Sequence, residues 1–306
     1  MPIRSVTVRV PAKVNLQLSV GPREEDGYHN LATVFQAVSL YDEVTVSRRD
    51  AGHGITLEIA GEYAHLVPAD AQNLAVKAAE LLAQNFDIEI NVHISIHKSI
   101  PVAGGMAGGS ADAAATLLAL DYLFDLALPK DELEKFGAEL GSDVPFMLMG
   151  HTAVGTGHGD QLTPALSRGT YHWVFALSTV GLSTPAVYGE CDRMRAALDV
   201  AQPQVSDALL QALLTADPAA VGKAMSNDLQ SAACSLRPAL ALILDVGRDF
   251  GALGAVVSGS GPTVAFLVKD EEHGLDLAVA LTASGVVGSV ARGFGPVAGA
   301  KIIESH

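Results

Sequence analysis

At 306 residues, with 49% hydrophobic and 17% charged side chains, the chain is long enough for one large domain or two ordinary ones and too apolar to be disordered. Its formal net charge of −15, without a Lys/Arg cluster or basic-aromatic stripe, argues against nucleic acid as a partner. No stretch reaches the about 18 uncharged apolar residues of a membrane helix, so a membrane partner is not expected either. The opening "MPIRSVTVRVPAKVN" alternates like a strand and lacks the apolar block of a signal peptide. Cys191 and Cys234 show no C-x-x-C spacing, so neither a disulfide framework nor a zinc site is expected. The expectation is a soluble cytoplasmic protein.

Four short β-type runs open the chain, at 4–10, 14–20, 33–40 and 42–49, with the turn-rich "GPREEDGYHN" between the second and third. Residues 73–86 have helical spacing through Leu74, Ala78, Leu81 and Leu82. From Asp87 to Lys98 the chain alternates, with Ile88, Ile90, Val92, Ile94 and Ile96 on one face and His93 and His97 on the other. The two histidines lack a third ligand nearby and read as solvent-facing or hydrogen-bonded, not as a metal site. A glycine loop, a helix from about Ser110 to Phe124, and a second helix ending at Gly141 follow. After Gly141 the chain turns toward a strand.

The second half opens with the glycine-dense "GHTAVGTGHGD" and a strand-like 172–178. Alanine-rich helical stretches lie near 205–215, 217–233 and 237–250. The pattern closes with "GAVVSGSGPTVAFLV", a helix around 271–284 and a strand near 288–294. Strand, turn, strand, helix and strand in that order indicate a small α+β domain. The boundary is expected near residue 160, giving domains of residues 1–160 and 161–306.

The stretch "IPVAGGMAGGSADAAATLLAL" joins Gly104, Gly105, Gly108 and Gly109 directly to a helix former. A helix start presents free amides and the positive end of its dipole, and glycine lets backbone approach an anion closely. Ser110 suits an N-cap, or a contact to phosphate or magnesium. The plain alternative is a tight turn before a glycine-packed helix. A Walker loop is excluded because no lysine follows Gly109, and a dinucleotide fingerprint fails on its glycine spacing.

What the loop resembles is the phosphate motif of the GHMP kinases. "PAKVNLQLSV", "DGYHNLATVFQAVSLYDEV", "NLAVKAAELL", "LGSDVPFMLMGHTAVGTGHGD" and "SGSGPTVAFL" extend the resemblance from about Val10 to Leu267. "PAKVNL" and "DGYH" are similar to the branch of the family whose acceptor carries a cytidine diphosphate. The resemblance implies a two-domain α+β fold, an N-terminal ATP-binding domain and a smaller C-terminal α+β substrate domain, with the site between them. It implies γ-phosphoryl transfer from ATP, with magnesium arriving on the nucleotide, to the 2-hydroxyl of 4-diphosphocytidyl-2-C-methylerythritol in the non-mevalonate isoprenoid pathway. The expected partner is this small molecule, and the expected assembly a monomer or weak homodimer.

Residue by residue, the resemblance makes Asp143 the base and Lys13 the charge beside it. Taken alone, Asp143 reads as a turn or cap residue and Lys13 as a surface lysine. Asn15, on the same side of a regular strand as Lys13, matches a position holding the methylerythritol. Tyr28 and His29 match a cytosine grip, which "LSTPAVY" completes with Thr184, Pro185 and Tyr188, so that the base lies between Tyr28 and Tyr188. Without the resemblance, "DGYH" is equally a β-turn followed by a surface aromatic. The ATP phosphates are expected over Pro101, Val102, Ala103, Gly104, Gly105, Met106, Ala107, Gly108, Gly109 and Ser110, with Asn73 and Lys98 near adenine and ribose. The "SGSGPT" glycines are expected to turn close to this loop. Relatives often carry glycine where this chain has Ala107, which requires φ < 0 or strain there. Two rivals stand beside this reading: a homoserine- or mevalonate-type kinase of the same family, and a non-enzymatic nucleotide sensor.

Overall fold

The computed structural model describes residues 3–102, 104–178 and 180–306. In chain order its elements are β1 (Ser5–Arg23), β2 (His29–Arg48), β3 (Ile55–Ala60), α1 (Leu74–Phe86), β4 (Val92–His97), α2 (Gly108–Phe124), α3 (Lys130–Leu140) and α4 (Val144–Met149). Then come β5 (Thr152–Thr156), β6 (Gln161–Pro164), β7 (Tyr171–Leu177), α5 (Thr184–Arg195), α6 (Asp207–Thr215), α7 (Pro218–Ala224), β8 (Ser226–Asn227), α8 (Gln230–Leu236) and α9 (Ala239–Asp249). The chain closes with β9 (Gly254–Val257), β10 (Val264–Val268), α10 (Glu271–Ser284), β11 (Ser289–Gly295) and β12 (Lys301–Ser305).

Two sheets result. The larger runs β12-β1-β2-β4-β3, with β5 and β6 branching from β2 and β8 pairing with β1; the smaller is the antiparallel β11-β7-β10-β9. The four opening β-runs are in fact two long strands. Pro11 lies within β1, and the register shift at Pro11/Ala12 absorbs it as a bulge. The sequence after Gly141 forms the short helix α4 instead of a strand, with Pro145 in its first turn, where a missing amide costs nothing. The helix near 217–233 is broken into α7 and α8 by β8. The expected boundary near 160 falls inside the β5–β6 hairpin, and β8 and β12 return to the first sheet, so the two parts are not consecutive pieces of chain.

The alanine run after the glycine loop has a packing reason. Ala111, Ala113, Ala114, Ala115 and Ala119 are fully buried, because α2 passes through the middle of the larger core against β1, β2, α1 and α4. Small side chains allow close approach on every face, and alanine is the best helix former among them. A second core, around Phe266, Ile243 and Leu277, holds α9 and α10 on the smaller sheet.

Candidate active site

The helix α2 begins at Gly108, and its N-cap is Ala107, not Ser110, which lies in the first turn. Ala107 adopts φ 61 and ψ 33, the left-handed region, a conformation costing an L-residue about 1–2 kcal/mol. The amides of Gly108, Gly109 and Ser110 are those a helix leaves without intrahelical acceptors. Gly105 is also left-handed (φ 72), and a side chain there would strike the Ser258 carbonyl, while Ser258 Oγ donates to the Gly105 carbonyl at 3.0 Å. The "SGSGPT" turn therefore does lie against the glycine loop. Met106 points the other way, fully buried in the core, with its carbonyl accepting the Lys13 amide at 3.3 Å. Pro101 is buried and Val102 half-buried, and Ala103 lies outside the described residues. The loop face of the cavity thus comprises Gly104, Gly105 and Ala107 to Ser110.

Lys98 is not free to meet adenine or ribose. It is 1% exposed, and its ammonium is saturated by Asp42, by Asp112 Oδ2 at 2.8 Å and by the Gly108 carbonyl at 2.9 Å. Asp42 in turn accepts the amides of Ser99 and Ile100 at 2.6 and 2.8 Å. This buried group ties the end of β4 to the first residue of α2, beneath the loop. Asn73 is buried likewise and caps α1, accepting the Ala75 amide at 2.9 Å and donating to the Pro68 carbonyl at 2.9 Å. Both residues support the loop's surroundings from within and do not line the cavity.

The strand β1 brings Lys13 and Asn15 side by side, as its alternation requires. Lys13 Nζ donates to Asn15 Oδ1 at 2.6 Å and lies 3.7 Å from Asp143 Oδ2, with the Phe35 ring 5.5 Å away. Asn15 Nδ2 donates to Thr33 Oγ1 at 2.9 Å, which fixes its amide. Burial pulls the Lys13 ammonium below its usual range, and the neighbouring Asp143 charge opposes that shift. Asp143 occupies the N-cap position of α4 yet makes no capping bond, so its 31%-exposed carboxylate is turned to the cavity and to Lys13. A cap residue that does not cap is available for other chemistry.

One cavity of about 480 Å³ takes in the loop, Asp143 and Gly259 to Gly261. A neighbouring cavity of about 730 Å³ is lined by Tyr28, His29, Thr184, Pro185, Tyr188 and Asp192, among others. In "DGYH" the Tyr28 amide donates to Asp26 Oδ1 in a turn with Gly27 at φ 87, and Tyr28, 65% exposed, lines the aromatic cavity. His29 Nε2 donates to Asp192 Oδ1 at 2.7 Å, and its ring packs on Tyr188 at 5.1 Å. Burial, with the Asp143 charge second, pushes the Tyr188 phenol up to about 12 and keeps it a donor. Tyr28 meets not Tyr188 but His158, at 5.2 Å. Neither His158 nor Asp192 stood out in the sequence; a histidine between two glycines in a hairpin was the available signal for the first. His93 donates or accepts at Thr56 Oγ1 (2.9 Å), and His97 is exposed.

Comparison with known proteins decides the family. The profile described as "GHMP kinases N terminal domain" matches residues 73–151, and "GHMP kinases C terminal" matches residues 209–287. A protein of Thermobifida fusca named 4-diphosphocytidyl-2-C-methyl-D-erythritol kinase is 55% identical over 304 residues, covering 98% of each chain. The chain belongs to the GHMP kinase family. It is therefore an ATP-dependent kinase. A Mycobacterium tuberculosis protein also named 4-diphosphocytidyl-2-C-methyl-D-erythritol kinase is 50% identical, over all of this chain and 95% of that one. A crystal structure of 4-(cytidine 5'-diphospho)-2C-methyl-D-erythritol kinase is similar at a TM-score of 0.75 and 33% identity, over 94% of this chain and 98% of the other. Among the described residues, no helix is long and apolar enough to cross a membrane.

Proposed function

We propose that this kinase transfers the γ-phosphoryl group of ATP to the 2-hydroxyl of 4-diphosphocytidyl-2-C-methyl-D-erythritol, within isoprenoid precursor synthesis. The observation that carries the reading is the Asp143 carboxylate: 3.7 Å from the Lys13 ammonium, it lines the glycine-loop cavity, which shares Ser142, His158, Thr184 and Tyr188 with the aromatic cavity. Phosphoryl transfer requires positioning and charge stabilisation more than covalent help. Asp143 accepts the proton of the acceptor hydroxyl as that oxygen attacks. Lys13, anchored by Asn15, faces the developing charge with its ammonium. The first-turn amides of α2 hold the donor phosphates, as a helix start holds any anion. Tyr28, His29 and Tyr188 supply flat and polar groups suited to a pyrimidine base. Relatives that bear this substrate in their names, at 50–55% identity over nearly the whole chain, support the acceptor assignment.

Magnesium fits the donor chemistry without a cage of its own. Among the described residues there is no group of three or more His, Cys, Asp or Glu able to hold a metal, whereas the Ser110 hydroxyl lines the loop cavity. Ser110 would contribute one hard oxygen to an ion otherwise held by phosphates and water, and the ion supplies neutralisation of phosphate charge.

A coupled ADP-release assay with the cytidine acceptor, homoserine and mevalonate side by side tests the reading. Turnover confined to the cytidine acceptor is expected, and turnover of either other compound in its place would overturn it. Asp143→Ala should abolish turnover while leaving ATP binding intact; loss of both would make Asp143 structural. A pure nucleotide sensor would release no ADP with any acceptor.

A further inference from the structure

The loop cavity and the aromatic cavity share five walls: Leu31, Ser142, His158, Thr184 and Tyr188. An acceptor with its base among the aromatics and its hydroxyl at Asp143 must pass its middle through this junction. In the acceptor proposed above that middle is a diphosphate. The surroundings are poor for such an anion, because Asp143, Asp160 and Asp192 line the two cavities and the chain carries −15 overall. Among the five shared residues only His158 can carry a positive charge. The Thr184 hydroxyl is already engaged in a 2.8 Å hydrogen bond with Ser260. Of the other groups of the aromatic cavity that can carry a positive charge, Arg23 donates to the Gly27 carbonyl at 3.2 Å and His29 is paired with Asp192 at 2.7 Å, and both lie off the junction.

His158 is also held in place. It tips the β5–β6 hairpin between Gly157 (φ 66) and Gly159 (φ 95), and its ring is braced by Tyr28. Its Nε2 lies 3.9 Å from Asp26 Oδ2, and half of the side chain remains exposed to the cavities. A braced, half-exposed imidazole can donate from a ring nitrogen when neutral, and from both when protonated.

We propose that His158 is a substrate-binding residue that grips the diphosphate of the acceptor, an inference that rests on the cytidine reading above. Packing against Tyr28 alone is the competing role, and the two differ in what the ring recognises. The test is calorimetric titration of the wild-type chain, His158→Ala and His158→Arg with cytidine and with cytidine diphosphate. A saturating non-hydrolysable ATP analogue is present throughout, so that the glycine loop is occupied. His158→Ala should weaken cytidine diphosphate about tenfold, the factor one charged hydrogen bond carries, and leave cytidine within about twofold. His158→Arg should retain diphosphate binding. Equal weakening of cytidine and cytidine diphosphate, or no weakening of either, would overturn the assignment while leaving the acceptor reading intact. Failure of the wild-type chain to bind either compound would overturn the acceptor reading itself and this inference with it.

Discussion

Replacing Asp112 by Asn tests how the ground beneath the glycine loop is charged. Lys98 faces two carboxylates, Asp42 and Asp112, and all three side chains are almost wholly buried. One positive charge cannot neutralise both. Burial pushes Asp112 up to about 8, the Asp42 charge adds to the rise, and the Lys98 ammonium opposes it. A carboxyl group raised in the folded state keeps its proton where the unfolded chain has released it. The folded state therefore loses stability from this group as pH climbs from about 4 to about 8. The slope can reach about 1.4 kcal/mol per pH unit, so between pH 5.5 and 7.5 it amounts to at most about 3 kcal/mol. Asparagine is neutral throughout, and its amide occupies the same space as the carboxyl group. Urea unfolding, followed by circular dichroism and by the fluorescence of the single tryptophan, Trp173, reads both proteins across that range. The wild-type stability should fall relative to Asp112→Asn as pH rises. Parallel curves would mean that Asp112 is ionised in the folded protein and would refute the reasoning.

Lys98→Met leaves Asp42 and Asp112 without their cation and should destabilise by about 3–5 kcal/mol, as breaking buried pairs does; a urea-midpoint change equivalent to less than about 1 kcal/mol would contradict the structural role. Gly105→Ala drives a methyl into the Ser258 carbonyl at a positive φ, and should cost roughly 2 kcal/mol or more together with a raised KM for ATP. Ala107→Gly relieves the left-handed alanine and should raise stability by up to about 1 kcal/mol in thermal unfolding, with turnover retained. Lys13→Met should reduce kcat by about a hundredfold or more without lowering the unfolding midpoint, because the desolvated ammonium is a cost to the fold.

Local signals carried the reading where they were dense. The helix α10 lies at 271–284 as expected, because Asp270 caps its start by accepting the His273 amide and Gly285 ends it in the left-handed region. The glycine loop and its helix were equally plain, although the start came two residues earlier than Ser110 and on a strained alanine. Long-range placement was not legible. Nothing local relates Lys98 to Asp42, 56 positions away, so its burial and its work as a buttress appeared only in three dimensions. Lys13 and Asp143 were found through family resemblance, since each alone is an unremarkable lysine or aspartate. The helix α5 was missed because "TPAVYGECDRMR" has little apolar periodicity, with only Val187 and Cys191 buried, and β12 because its pairing partner, β1, is almost the whole sequence away. His158 escaped because a glycine-flanked histidine has no periodic context at all.

The pairing of β12 with β1, from Val6 opposite Ser305 to Arg9 opposite Lys301, has a consequence for how the enzyme is made. The strand that carries Lys13 emerges from the ribosome long before residues 301–305, the partner of its outer flank. Throughout synthesis that flank offers unpaired amides and carbonyls, a template for another chain. A product truncated ahead of residue 301 would retain Lys13, Asp143 and the glycine loop, yet fail through association with its neighbours.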